Sequence, residues 1–157
     1  MKSIRRQILD NSVALVSLAV ALMALGYNTW RNETTEAQRN VRHASFRVLE
    51  SLGALQQVVD YRYYYLPFEG GDGVEGELRV RGFGHVAMVR DLMMLMPAPA
   101  PAAGEALQSA WIDGFNALDD LETAERHTAA AIRAERELTE RIDGARAAVL
   151  EVLAGLD

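Results

Sequence analysis

The chain of 157 residues has no cysteine, which excludes a disulfide framework, a thiolate zinc site and a cysteine nucleophile, and leaves the redox compartment open. It also lacks a basic field. With 16 Lys and Arg against 22 Asp and Glu, and a net charge of -6, it has nothing broad enough to engage a phosphate backbone, so nucleic acid is excluded as a partner. No G-x-S-x-G, H-E-x-x-H or paired-acid signature occurs, so the chain is read as no enzyme, with no catalytic residue and no cofactor. Proline is absent before Pro67, so nothing in that long stretch forbids one continuous helix.

What is present is apolar and helix-forming. Half the residues are hydrophobic and 24% are charged, the balance of a folded chain rather than a disordered one, and Ala and Leu dominate. Asn11 to Trp30 carries no charge, and its centre reads Val13-Ala-Leu-Val-Ser-Leu-Ala-Val-Ala-Leu-Met-Ala-Leu25. At about 1.5 Å per residue, such a helix covers roughly the 30 Å of a bilayer's hydrocarbon core. Tyr27 and Trp30 close it as an interfacial aromatic pair, and Lys2, Arg5 and Arg6 flank the other end. This predicts a single-pass signal-anchor, with the N-terminus cytoplasmic and the C-terminal domain outside the cytoplasm. Arg31, Arg39 and Arg42 on the far side oppose that orientation but are more dispersed. A cleaved signal peptide, with Ala24 and Gly26 at the cleavable position, competes; Asp10-Asn11-Ser12 and the length of the apolar stretch speak against it.

Beyond Trp30 the helical period continues. Val41, Ser45, Val48, Leu52, Leu55, Val59, Arg62 and Leu66 recur at steps of four and three, a coiled-coil-type seam. The spacing predicts one long helix ending near Tyr65, broken by Pro67 and the glycines up to Gly76. A second helix is expected from Leu78 to Met96, then an extended spacer at Pro97-Ala-Pro-Ala-Pro101 that reverses the chain. A third helix starts after Pro101 and carries Leu107, Trp111, Gly114, Leu118 and Leu121. A fourth carries Leu138, Ile142, Ala145, Val149, Val152 and Leu156, with a break at Asp119-Asp120-Leu-Glu122, read as a helix cap. The fold class expected is all-α: a transmembrane helix with its cytoplasmic tip (1–30) continuing into an antiparallel, four-helix-type bundle (31–157).

Few residues offer chemistry. His43, His85 and His127 fall on separate segments without ligand spacing, so no metal site is expected. Met88, Met93, Met94 and Met96 read as adaptable core filler rather than soft-metal ligands. The Gly-rich loop with Glu69, Asp72 and Glu75 matches neither a calcium loop nor a phosphate cradle. The densest aromatic cluster is Tyr61, Tyr63, Tyr64 and Tyr65, with Arg62 and Phe68. Consecutive helical residues point about 100° apart, so these rings cannot all enter one core, and the run is the best candidate for a partner-binding surface. Rigid aromatics with polar tips beside Arg are what interfaces use as anchors, whereas tyrosines capping a bundle end give the same pattern.

Leu25-Gly-Tyr-Asn-Thr-Trp-Arg-Asn-Glu33, followed by Thr35-Glu36, Arg39-Asn40 and Arg42, resembles the membrane-exit segment of uncharacterised single-pass inner-membrane proteins of proteobacteria. The likeness extends to Arg90-Asp91-Leu92 and Leu95-Met-Pro97. It implies a bacterial inner membrane, with the C-terminal domain in the periplasm, and brings no activity. The expected bundle is also similar to periplasmic sensor domains of chemoreceptors and kinases, but the sequence has neither their second membrane span nor their output module. The reading is therefore a membrane-anchored interaction module that meets the lipid bilayer and a protein partner or another copy of itself. The alternative is a ligand- or metal-sensing periplasmic bundle acting through a partner.

Overall fold

The computed structural model describes residues 12–69, 73–124 and 126–156. The basic tip at Lys2, Arg5 and Arg6 lies outside them. Helix α1 spans Ser12–Asp60, a wide π-helical turn follows at Tyr61–Tyr65, and the short helix α2 spans Leu66–Glu69. Then come α3 (Val74–Met93), α4 (Ala100–Gly114), a 3₁₀ turn (Phe115–Ala117), strands β1 (Leu121–Thr123) and β2 (Arg126–His127), and α5 (Ala129–Ala154). Contacts divide the chain into two units, Met1–Asn40 and Val41–Asp157, which are described separately.

In the first unit, α1 is long and apolar enough to cross a membrane by length and composition, and none of its most apolar window is buried. Val13, Leu15, Val16, Leu18, Val20, Leu22, Met23 and Leu25 are all exposed. Tyr27 and Trp30 are exposed as well, with ring centroids 6.1 Å apart.

In the second unit, four helices pack around one core. The expected seam of α1 turns inward: Ser45, Val48, Leu52, Leu55, Val59 and Arg62 are buried, joined by Ser51 and Val58. Val86, Val89 and Met93 meet it from α3, Leu107 and Trp111 from α4, and Leu138, Ile142, Ala145 and Val149 from α5. Each buried Leu, Ile, Val or Met contributes about 1.5–3 kcal/mol by leaving water. Side-chain contacts fix the directions. Gln56 donates to Thr139 (3.3 Å) and Arg42 to the Leu156 carbonyl (3.2 Å), so α5 runs antiparallel to α1. Ser51 and Ser45 reach the sulfurs of Met88 (3.4 Å) and Met96 (3.9 Å), so α3 runs antiparallel to it too.

The structure corrects several sequence expectations. The first break does not fall at Pro67, because helix resumes at Leu66 and lasts to Glu69. The Leu66 N–H donates to the Tyr61 carbonyl five residues back; the widened turn accommodates a proline that lacks the donor and would strike a carbonyl in a regular α-helix. The second helix starts four residues earlier than expected, at Val74 after Gly73 in the left-handed conformation (φ 93°), and ends at Met93. The proline-rich spacer is not extended: Met94 to Pro99 forms turns, and Pro101 sits in the first turn of α4, where its missing N–H has no helical partner to lose. Asp119 and Asp120 cap no helix. A short antiparallel β1–β2 pair occupies that connection, which departs from a purely helical class, and Thr128 caps α5 by accepting from the Ala131 N–H (3.1 Å).

Gly82 and Gly84 play opposite parts in α3. A Cβ at Gly82 would lie 2.5 Å from Trp111 Cζ2, whereas one at Gly84 would meet nothing within 4 Å. Gly82→Ala should therefore lower unfolding free energy by about 1–3 kcal/mol through overpacking. Gly84→Ala should raise it by about 0.5–1 kcal/mol by relieving a helix-interior glycine. Urea midpoints at unchanged denaturant slope would test the pair; equal shifts in both would contradict the close approach of α3 to Trp111.

Candidate interaction site

The run from Tyr61 to Phe68 lies where the end of α1, the start of α3 and the α4–α5 connection meet. Inside this end sits Arg62, only 2% exposed. A buried guanidinium must be paired, because stripping water from a charge costs several kcal/mol that only good hydrogen-bond geometry returns. Asp119 supplies the pairing: its Oδ1 accepts from Nη2 at 2.8 Å and from Nε at 3.1 Å. Glu75 Oε1 stands 3.5 Å from the same Nη2, and the guanidinium carbon lies 4.3 Å above the centre of the Phe115 ring. One side chain of the π-turn thus holds the first turn of α3, the 3₁₀ turn and the connection beyond it. Arg62 belongs to the interior and not to a binding surface.

An aromatic layer continues the arrangement. Trp111 stacks on Phe115 (5.5 Å, 28°), and Phe83 meets Phe115 edge-on (5.4 Å, 75°). Arg79 lies 5.2 Å from the Phe83 ring and donates to Asn116 Oδ1 at 2.7 Å. Tyr63, half-buried, stacks on His127 of β2 at 3.9 Å and 11°, and Phe68 approaches the same imidazole edge-on at 5.5 Å. These contacts fasten the strand pair to the π-turn. Burial pushes the Tyr63 phenol above its ordinary value, with Glu135 and then Tyr64 adding like-charge repulsion of the phenolate.

The remaining rings face outward. Tyr61, Tyr64, Tyr65 and Phe68 are 42%, 54%, 51% and 48% exposed. Tyr61 stacks on Tyr65 (5.6 Å, 21°), and Tyr64 meets Tyr63 edge-on (4.8 Å, 88°), so the exposed rings are held in place rather than loose. Beside Tyr61 a half-open groove of about 320 Å³ runs between α1 and α3, with Val58 and Leu78 among its lining and the Glu77–Arg81 ion pair (2.6 Å) alongside. The aromatic run therefore divides between the two sides of the fold: Arg62 goes inside, Tyr63 lies against His127, and four rings remain on the surface. Sequence reasoning read Asp119 as part of a helix cap and His127 as an isolated histidine rather than as partners of Arg62 and Tyr63, and it did not single out Phe115. The only signal for Asp119 was a charged residue on the apolar seam, which demands an acid from elsewhere in the chain.

Elsewhere the candidate residues stay apart. His43 is exposed on α1, His85 is half-buried on α3 and His127 is occupied by its two rings. Among the described residues no group of three or more His, Cys, Asp or Glu side chains converges as a metal site would require.

Asp119→Ala should destabilise the protein by about 3–5 kcal/mol, because it strands a buried guanidinium. Arg62→Met combined with Asp119→Ala should recover most of that loss, as read from chemical denaturation. A loss in the double variant no smaller than in the single one would contradict the pairing. The raised Tyr63 phenol adds a pH dependence: its stabilising contribution is full below the ordinary phenol range and is lost as pH rises through the folded value. Tyr63→Phe should flatten that alkaline fall, measured as unfolding midpoint against pH. No protein-family model, curated protein or solved structure matches this chain.

Proposed function

We propose that the protein is a membrane-anchored interaction module, held in a bacterial inner membrane by α1 and engaging a protein partner or a second copy through the exposed rings at the Tyr61–Phe68 end of its bundle. The observation that carries the anchoring is the run from Val13 to Leu25, whose eight large apolar side chains all remain exposed. Each forfeits about 1.5–3 kcal/mol in water, and a bilayer removes that cost. The exposed tyrosines and Phe68 support the recognition part. Large rings immobilised by one another present contact area with little entropy left to lose, the property of interface anchors.

The proposed topology places the N-terminus in the cytoplasm and the bundle in the periplasm, following the basic residues ahead of the apolar stretch. The groove beside Tyr61 favours a second reading, a sensor of a small ligand acting through a partner.

Alkaline carbonate should leave the full-length protein in the membrane pellet, and protease added to spheroplasts should digest the bundle. Release by carbonate contradicts the anchor; a protected bundle reverses the topology. In crosslinked pull-downs, Tyr64→Ala with Tyr65→Ala should remove the main partner band while leaving thermal unfolding within a few degrees of the parent. An unchanged partner spectrum would contradict recognition through these rings.

A further inference from the structure

The charge of the chain is not spread evenly. The stretches 60–81 and 113–135 hold eleven acidic residues against five arginines, a balance of -6, and the rest of the sequence holds eleven of each sign. The whole net charge therefore belongs to these two stretches. Asp72 and Glu125 lie outside the described residues; the described parts of the two stretches meet at one end, through Arg62 with Asp119 and Glu75, Arg79 with Asn116, and His127 with Tyr63 and Phe68. This is also the end that exposes Tyr61, Tyr64, Tyr65 and Phe68.

From this coincidence we infer that the exposed aromatic surface recognises a cationic peptide segment, an Arg- or Lys-rich stretch of a partner protein. The inference rests on the interaction-module reading above and names the partner's chemistry. Aromatic ring faces carry negative potential and attract guanidinium or ammonium groups placed over them. The same end already uses this contact internally, with Arg62 over Phe115 and Arg79 over Phe83. Surrounding carboxylates add a field that raises the encounter rate with cations and repels acidic competitors. Glu75 and Glu77 side chains are 64% and 65% exposed, and Asp120 and Glu122 are exposed too, so the field reaches solvent. Glu77 and Glu122 are paired with Arg81 and Arg126, but acids outnumber arginines in the two stretches, so an acidic partner would meet net repulsion.

The test uses the full-length protein in phosphatidylcholine nanodiscs, whose lipid carries no net charge, and a fluorescent peptide of alternating arginine and serine, read by anisotropy. The arginine peptide should bind, and its glutamate counterpart should not. Tyr64→Ala with Tyr65→Ala should weaken binding about tenfold, whereas Tyr64→Phe with Tyr65→Phe, which keep the ring faces, should retain it. Binding that survives the alanine pair reports a bare acidic field and overturns the inference. So does equal binding of the glutamate peptide, or displacement by spermidine at equal concentration of charge, which points to a small polycation. If the alanine pair removes the crosslinked partner while the arginine peptide does not bind, the aromatic surface stands and the cationic chemistry fails. If the alanine pair alters neither, the interaction-module reading fails with it.

Discussion

The buried guanidinium of Arg62 constrains everything at one end of this bundle. A charge 2% exposed cannot be left without partners, and the partners come from three other places in the chain: Asp119, Glu75 and the Phe115 ring. Because Asp119 must reach inward to Arg62, it is not available to cap α5, and Thr128 does that instead. The connection can then fold back as the short β1–β2 pair, whose His127 packs on Tyr63 and Phe68. Ion pair, aromatic layer and strand pair all adjoin one charged residue on an apolar seam. Such a pair adds little net stability over apolar residues of similar volume, but it penalises any packing that separates its members.

The π-turn sets which side chains reach that interior. Any helix would split a run of five successive side chains; the extra residue in the turn shifts the helical phase between Asp60 and Leu66 and so changes where the side chains beyond it point. Arg62 enters, Tyr63 lies half-buried, and Tyr61, Tyr64 and Tyr65 stay outside. The same widening lets the helix continue past Pro67. Wide turns of this kind are frequent at functional sites, which accords with the rings it presents.

Much of the fold was legible in the sequence where a repeating side-chain period met a repeating burial pattern. The four-and-three spacing from Ser45 to Arg62 and from Leu138 to Val152 marks the buried faces, because a helix offers no other way to place those residues together. The outward rings were legible too, since five successive side chains cannot share one core. The failures lie where a distant partner decides a local conformation. Pro67 reads as a helix end until the widened turn is known, and Asp119-Asp120 reads as a cap until Arg62 is known to need one of them. Leu121–Thr123 is too short to show any period, so its pairing with Arg126–His127 left no trace in the pattern.

The proposal of a protein held at a membrane and read at one end rests on an apolar helix stretch with none of its large side chains buried and on a bundle end that exposes four aromatic rings. The most direct measurement of that claim is site-specific photo-crosslinking in intact bacteria, with the photoreactive residue placed at Tyr64 or at Leu150, an exposed apolar position on α5 toward the other end of the bundle. The account predicts a discrete adduct in the membrane fraction from position 64 and none from 150. Adducts from 150 alone, or the same adducts from both positions, would contradict it.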